Sequence, residues 1–153
     1  MRHATAAHFA PGGGDRDRPL TTDGQAQVRR VGALLADEGI ERVLCSPATR
    51  TRQTADGLGL KAAVTVLDPL YNCPPERILT ALARLPEYVR GVLVVGHFPG
   101  IPGLVQQLAD RSADLAEVSR LARHFPPATV VELEFADPWP DLHAARLVRV
   151  RRP

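Results

Sequence analysis

The sequence predicts an α/β fold, with helices on both faces of a mostly parallel central sheet, in a single domain spanning residues 1–153. Segments with helical spacing of apolar residues alternate with short apolar segments, as helices and strands do in such folds. The apolar segments are continuous, which is typical of strands buried on both faces. No repeat or composition shift divides the chain, whose length suits one compact domain.

The first helix is predicted to follow an irregular loop. Residues 7–19 are rich in Gly, Pro, Asp and Arg, which disfavour regular structure. Thr22 followed by Gln25 has the pattern of a capping box, and apolar residues then recur at helical spacing. Gly39 is the predicted stop signal, so the helix is expected between the capping box and this glycine.

A buried strand and a second helix are predicted next. Residues 42–45 form a short apolar run that ends at Ser46 and Pro47. Serine is a favoured N-cap and proline a favoured first helical residue, so a helix is expected to begin here and run to about Gly57. Its free N–H groups and positive dipole end would attract an anion beyond the end of the strand.

Strands and helices continue to alternate to the end of the chain. Strands are predicted at residues 62–67, 91–95, 129–135 and 144–150, and helices at residues 74–85 and 101–108. Residues 110–127 have a weaker pattern, which indicates a short helix and a loop. The last two strands are separated by a turn-rich segment, so they are expected to pair as a hairpin or meander.

Composition and charge exclude several functional classes. The chain is 44% hydrophobic and 24% charged, as in soluble globular proteins, and no apolar run approaches the ~18 residues of a membrane span. No signal peptide is visible, so a cytoplasmic protein without a membrane partner is expected. A formal charge of +2 is too small to predict nucleic-acid binding. Cys45 and Cys73 lack companions at ligand spacing, so neither a metal site nor a redox motif is predicted.

Three groups that could bind an anion are placed at predicted strand ends. His3 lies at the start of the chain, Arg50 follows the first buried strand, and His97 follows the strand at 91–95. Ligands of open α/β sheets bind beyond the carboxyl ends of the strands, so these groups are expected to meet at one edge. All but Lys61 of the 19 basic residues are arginines, which suit phosphate oxygens, although a coding bias also explains their number. Taken singly, each of these side chains is equally compatible with a surface position.

Four motifs in a fixed order carry a resemblance to a known family. They are Arg2-His3-Ala4, Arg18-Pro19-Leu20-Thr21, Ser46-Pro47-x-x-Arg50-x-x-Gln53-Thr54 and Gly96-His97-x-Pro99-Gly100. Together they resemble the histidine phosphatase superfamily, and within it the SixA-type phosphohistidine phosphatases, over residues 2 to about 136. The resemblance implies a phosphoglycerate mutase-like fold, which is a three-layer αβα sandwich.

The resemblance also implies a role for each motif. His3 would be the nucleophile. The other catalytic residues, which bind the phosphoryl oxygens, would be Arg2, Arg50 and His97, and further substrate contacts would come from Arg18 and Ser46. Positive charge beside His3 would lower its pKa, keep its ring neutral and offset the repulsion of an incoming phosphate. Because arginines supply that charge, no metal and no cofactor is expected.

Two departures from the family pattern bear on the fold and the substrate. Only Met1 precedes Arg2, whereas relatives usually have several apolar residues that form a central strand, so the first strand is expected to be truncated. Where mutase-like members often carry a glutamate acid, this sequence has Asn72, whose amide cannot protonate a poor leaving group. The leaving nitrogen of a phosphoramidate protonates easily, which favours phosphohistidine as the substrate. Candidates for a remaining acid are Asp17, Asp68 and Glu76.

Three functions are compatible with these residues. The leading one is hydrolysis of phosphohistidine in a protein, through a covalent phosphohistidine intermediate on His3. The alternatives are a phosphomonoesterase for a small metabolite and a non-catalytic phosphate-binding relative. The expected partner is a phosphorylated protein or metabolite and not a nucleic acid, and the expected state is a monomer or weak homodimer.

Overall fold

The predicted order of strands and helices is confirmed in the computed structural model, which describes residues 1–10, 12–110 and 112–152. The strands are β1 (Arg42–Cys45), β2 (Ala63–Val66), β3 (Val92–Val95), β4 (Val130–Glu134) and β5 (Arg146–Arg151). The helices are α1 (Thr22–Leu35), α2 (Thr49–Gly57), α3 (Pro75–Leu82), α4 (Gly100–Leu108) and α5 (Leu115–Arg123). None of the helices in these ranges is long and apolar enough to cross a membrane.

The strands form a three-stranded parallel sheet and a separate two-stranded antiparallel sheet. The parallel part has the order β2-β1-β3, in which Cys45 at the end of β1 is level with Val95 at the end of β3. The last two strands, β4 and β5, form the expected antiparallel pair. All four residues of β2 are exposed, because this strand lies at the edge of the sheet.

The first residues of the chain connect the parallel sheet to the antiparallel one. The backbone N–H of His3 donates to Gly96 just beyond β3, at 3.0 Å, and the N–H of Arg2 donates to Thr129 just before β4, at 3.1 Å. Arg2 forms a parallel bridge with Gly96. A cleft of about 710 Å³ lies between β3 and β4. His3 is firmly held, since only 7% of its surface is exposed.

Two hydrophobic cores cover the opposite faces of the sheet. Val43 and Cys45 of β1 pack in a core with α1 and α2, whereas Leu44 belongs to a core with α3, α4 and α5. Alternate residues of β3 divide between the same two cores. Successive side chains of a strand point to opposite faces, so continuous apolar strands require helices on both. The fold is therefore the predicted three-layer αβα sandwich.

The predicted start of α1 is wrong by one residue. The N-cap is Thr21, whose hydroxyl accepts a hydrogen bond from the backbone N–H of Gly24 at 3.0 Å, and not Thr22. The helix ends at Leu35, before the predicted stop at Gly39, which adopts a positive φ of 65° in the following turn. Glycine accommodates that conformation without steric cost.

The predicted start of α2 is also wrong. This helix begins at Thr49 with Ala48 as its N-cap, and no side chain caps it. Residues 46–48 instead form a short connection, fixed by the hydroxyl of Thr51, which donates to the carbonyls of Ser46 and Ala48 at 2.7 Å. The Ser46 side chain therefore does not cap α2 and contacts His97 instead.

Candidate active site

Two histidines and an arginine meet at the carboxyl edge of the parallel sheet. His97 follows β3, Arg50 lies in the first turn of α2, and His3 follows the bridge at Arg2. The ring centroids of His3 and His97 are 5.3 Å apart, and an Nη2 of Arg50 is 3.4 Å from Nδ1 of His97. All three side chains are buried. Residues that are 47 and 94 positions apart in sequence therefore form one cluster.

The environment of His3 leaves one ring nitrogen available. Its Nδ1 lies 2.8 Å from the carbonyl oxygen of Ala4. A carbonyl only accepts, so Nδ1 carries the hydrogen and Nε2 keeps its lone pair. Burial, together with the positive charges of nearby arginines, lowers the pKa of His3 to about 4, although the Ala4 contact acts in the opposite direction. The ring is accordingly neutral near pH 7, as a nitrogen nucleophile must be.

His97 is held from behind by a buried serine. The hydroxyl of Ser46 lies 2.7 Å from Nε2 of His97, and no part of Ser46 is exposed. Burial and then the charge of Arg50 lower the pKa of His97 to about 3, so this ring is neutral as well. Ser46, which the sequence suggested as a substrate contact, is fully buried and contacts His97.

Two guanidinium groups present buried N–H donors that lack partners among the described residues. They are the Nε–H groups of Arg2 and Arg50. Other atoms of the same groups are anchored: Arg2 Nη1 donates to the carbonyl of Phe125 at 2.6 Å, and Arg50 Nη1 donates to the carbonyl of Asp15 at 2.6 Å. A buried donor without a partner is costly, so two of them beside neutral histidines indicate a place for an acceptor such as a phosphoryl oxygen.

Arg18 lies at the rim of the cluster. Its Nε donates to the carbonyl of Ala7 at 2.6 Å, and its Nη1 donates to Asp15 Oδ1 at 2.7 Å. Its positive charge contributes to the lowered pKa of His3, which places it within electrostatic reach of that ring. The guanidinium is thus near the cluster, with its charge balanced by Asp15.

Asp15 and Tyr71 also belong to the cluster, and sequence reasoning missed both. Asp15 Oδ2 accepts hydrogen bonds from the Tyr71 hydroxyl at 2.6 Å and from Arg50 Nη2 at 3.0 Å. The bond from Tyr71 and those from Arg18 and Arg50 hold the pKa of Asp15 well below its usual range. The bond to Asp15 in turn raises the pKa of Tyr71, whose ring centroid is 5.5 Å from that of His97. These partners are separated by 35 and 56 residues, so no local pattern could reveal them.

The three acids suggested from the sequence have other positions. Asp17 accepts from the backbone N–H of Gly14 at 2.9 Å, and Asp68 pairs with Arg16 at 2.5 Å. Glu76 is exposed in the first turn of α3, and the side chain of Asn72 is exposed as well. Asp15 is thus the carboxylate that the structure brings to the histidines and arginines.

The part of the chain that the structure describes contains no group of three His, Cys, Asp or Glu residues arranged to hold a metal ion. The two thiols are free; Cys45 is buried and Cys73 half-buried. Burial raises the pKa of Cys45 to about 11, so its thiol is protonated and unreactive.

Comparisons with known proteins agree with this arrangement. Residues 1–71 match the family described as histidine phosphatase superfamily (branch 1). The chain is 38% identical over 116 residues to the phosphohistidine phosphatase SixA of Escherichia coli K12, covering 71% of this chain and 71% of that protein. It is 34% identical over 145 residues to an uncharacterised protein of Mycobacterium tuberculosis H37Rv, covering 93% of this chain and 91% of the relative.

Solved structures show the same likeness over the whole chain. A SixA-type structure from Nakamurella multipartitia superposes with a TM-score of 0.88 at 37% identity, covering 100% of this chain and 93% of that one. The protein histidine phosphatase SixA complexed with tungstate gives a TM-score of 0.78 at 28% identity, covering 98% and 92%. These likenesses confirm the expected phosphoglycerate mutase-like fold.

Proposed function

The chain belongs to the histidine phosphatase superfamily, and from this premise we propose that it hydrolyses phosphohistidine through a covalent intermediate on His3. One observation carries the proposal. A neutral His3, with Nδ1 committed to Ala4 and Nε2 free, lies in a cluster whose arginines present unpartnered donors. Likeness to SixA in sequence and structure supports phosphohistidine as the substrate class.

The reaction proceeds in two displacements at phosphorus. In the first, the lone pair on Nε2 of His3 forms a bond to phosphorus while the bond to the substrate nitrogen breaks, and its electrons stay on the departing imidazole. In the second, water attacks the phosphorus on His3, loses a proton to solvent, and releases phosphate and the neutral ring. The covalent route divides one difficult hydrolysis into two easier steps.

Arginines provide the charge that holds the phosphoryl group. The free Nε–H groups of Arg2 and Arg50 donate to its oxygens and stabilise the charge that spreads over them in the transition state. Arg18 adds positive charge at the rim. Arg50 Nη2 can only donate and lies 3.4 Å from Nδ1 of His97, so Nδ1 accepts and Nε2–H donates to the hydroxyl of Ser46. Ser46 thereby holds the His97 ring beside the proposed phosphoryl position. The proposal therefore requires neither a metal nor a cofactor.

A labelled phosphotransfer experiment tests this function. The protein is mixed with a histidine-containing phosphotransfer domain phosphorylated on its histidine, and released phosphate and acid-labile phosphoenzyme are measured. We expect release by the wild type and neither product with His3→Ala. The matched control is His143→Ala, because that histidine is exposed and contacts residues of its own turn, the carbonyl of Asp141 and the carboxylate of Asp137.

Three results would contradict the proposal. A phosphoenzyme that persists in His3→Ala would place the nucleophile elsewhere. Turnover of sugar phosphates or nucleotides without turnover of phosphohistidine would favour the metabolite phosphatase. Binding of vanadate without any phosphoenzyme would indicate a non-catalytic phosphate-binding protein.

A further inference from the structure

The Asp15 carboxylate lies beside the residues proposed to bind phosphate. A negative charge is unexpected there, because it repels an anion. Its two oxygens accept from Arg18, Arg50 and Tyr71, at distances of 2.7, 3.0 and 2.6 Å. Two of these donors are the cations proposed to bind the substrate phosphate. The bonds keep the carboxylate ionised, so a fixed negative charge stands beside the phosphoryl position.

The exposed fractions of the site side chains indicate the direction from which a substrate enters. Arg50, His97 and His3 are 3%, 4% and 7% exposed, so they form the floor of the site. Asp15 is exposed, and Phe98 is 44% exposed, so these residues lie at the opening. His3 attacks from the floor, and a leaving group must depart on the far side of the phosphorus. The departing group therefore lies at the opening, on the side of Asp15.

Asp15 can stay in place while the phosphoryl group is bound. Arg50 uses Nη1 and Nη2 for Asp15 but keeps its buried Nε–H unpartnered among the described residues. The phosphoryl group can take that donor without displacing the carboxylate. A carboxylate has about four acceptor positions, and Asp15 uses three, so one on Oδ1 is available to a substrate.

We propose that this remaining position accepts a hydrogen bond from the protonated ring of the departing histidine, and that Asp15 thereby selects phosphohistidine over phosphate esters. The inference rests on the proposed function and adds a specificity-determining residue to it. A phosphorylated imidazole carries its phosphoryl group on one nitrogen and can hold a proton on the other. A carboxylate facing the second nitrogen stabilises the protonated, cationic ring.

The proton balance of the first displacement follows from this contact. The bond between phosphorus and nitrogen breaks, and its electron pair stays on the nitrogen that carried the phosphoryl group. Because the other nitrogen is already protonated, the product is neutral imidazole, and no acid has to deliver a proton during the step. Asp15 gains and loses no proton. A phosphate ester offers no such cation, so its dianion meets only the repulsion of Asp15.

Asp15→Asn tests the inference because it removes the charge and keeps the shape. The substrates are a peptide carrying phosphohistidine and p-nitrophenyl phosphate, whose phenolate leaves without a proton. We expect kcat/KM for phosphohistidine to fall about tenfold or more relative to kcat/KM for the aryl ester, as for the loss of one charge-assisted hydrogen bond. In the pH profile of kcat, which reports groups in the enzyme–substrate complex, the alkaline limb for phosphohistidine should move to lower pH, because the bound ring loses its proton more readily.

Two further variants separate charge from loop structure. Asp17→Asn removes the same charge from the same turn, where the side chain accepts from the backbone N–H of Gly14, and should leave the ratio of the two activities unchanged. Asp15→Glu keeps the charge and should retain most of the preference for phosphohistidine. A general disturbance of Arg18 and Arg50 would instead lower both activities by the same factor.

The outcomes distinguish this inference from the proposed function. Wild-type protein that hydrolyses no phosphohistidine would overturn both. If the wild type hydrolyses phosphohistidine but Asp15→Asn changes neither activity, or both equally, the function stands and the role of Asp15 is wrong. An unchanged alkaline limb in Asp15→Asn would overturn the role of Asp15 in the same way.

Discussion

At the scale of single residues, burial decides which chemical form the histidines adopt. An exposed histidine is half protonated near pH 6.5, and a protonated ring has no lone pair with which to attack phosphorus. His3 and His97 are both buried beside Arg50, so their pKa values fall to about 4 and about 3. The residues proposed to bind the phosphoryl group thus also keep the proposed nucleophile neutral.

The decrease of kcat/KM at acid pH should follow the protonation of His3 and so report its pKa. Because the lone pair on Nε2 is lost only when the ring is protonated, kcat/KM should stay level through about pH 6 and fall towards about pH 4. The measurement is a profile of kcat/KM against pH with p-nitrophenyl phosphate, corrected for the titration of the substrate. A limb near pH 6.5 would show that His3 titrates as an exposed histidine does.

Ser46→Ala should lower activity and stability together. The substitution leaves Nε2 of the buried His97 without its partner at 2.7 Å, at a cost of about 1–3 kcal/mol in unfolding free energy. It also removes the contact that orients the His97 ring, so kcat should fall while the protein remains folded. Urea unfolding and steady-state kinetics measure the two effects. Thr80→Ala, which removes an exposed hydroxyl bonded within α3, is the control and should change neither.

At the scale of elements, the first helix holds the segment that carries His3. Thr21, the N-cap of α1, donates its backbone N–H to the carbonyl of Thr5 at 3.0 Å, and Gln27 of the same helix accepts from the N–H of Thr5 at 3.0 Å. Gly24 makes this approach possible, since a Cβ there would collide with the Thr5 carbonyl. The backbone N–H of Ala4 donates to the hydroxyl oxygen of Thr54 in α2 at 3.1 Å.

Two threonine variants distinguish the observed helix start from the one expected from the sequence. Thr21→Ala removes the oxygen that accepts from Gly24 and should reduce the unfolding free energy by about 1 kcal/mol. Thr22→Ala changes an exposed side chain in the first turn and should have little effect. Urea denaturation of both variants measures the difference. Equal losses, or a larger loss for Thr22→Ala, would contradict the cap at Thr21.

At the scale of the whole molecule, the site depends on elements from both cores. His3 comes from the start of the chain, Arg50 from a helix on one face, and His97 from the end of β3. Asp15 comes from the loop before α1. Only the complete fold brings these groups together, and it buries the histidines in their neutral form. Stability and pH are consequently linked.

The unfolding free energy should decrease as the pH falls below about 6.5. Unfolded histidines take up protons near that pH, whereas folded His3 resists protonation down to about pH 4, so the unfolded state binds more protons in this window. The depression of His3 alone corresponds to roughly 3 kcal/mol, which is present above pH 6.5 and lost as the pH approaches 4.

Urea unfolding between about pH 7 and about pH 4 measures this dependence, and His3→Gln provides the comparison. The variant lacks one depressed histidine, so its free energy should fall less steeply with decreasing pH. Comparing slopes removes the contribution of other titrating groups and of any constant loss of stability. Parallel slopes would show that His3 has a similar pKa in the folded and unfolded states.

The sequence by itself determined the fold class, the order of strands and helices, and the motifs that contain His3, Arg50 and His97. Hydrophobic spacing and strand-end placement are local patterns, so they can be recognised in the sequence without knowledge of the tertiary contacts. The exact helix starts were not determined, because several threonines and serines compete as caps, and the tertiary contacts of Thr21 and Ser46 decided between them. Only the tertiary structure brought Asp15 and Tyr71 to the site, since their bonds cross long stretches of chain. Burial likewise decided the pKa values, because desolvation depends on everything that surrounds a group.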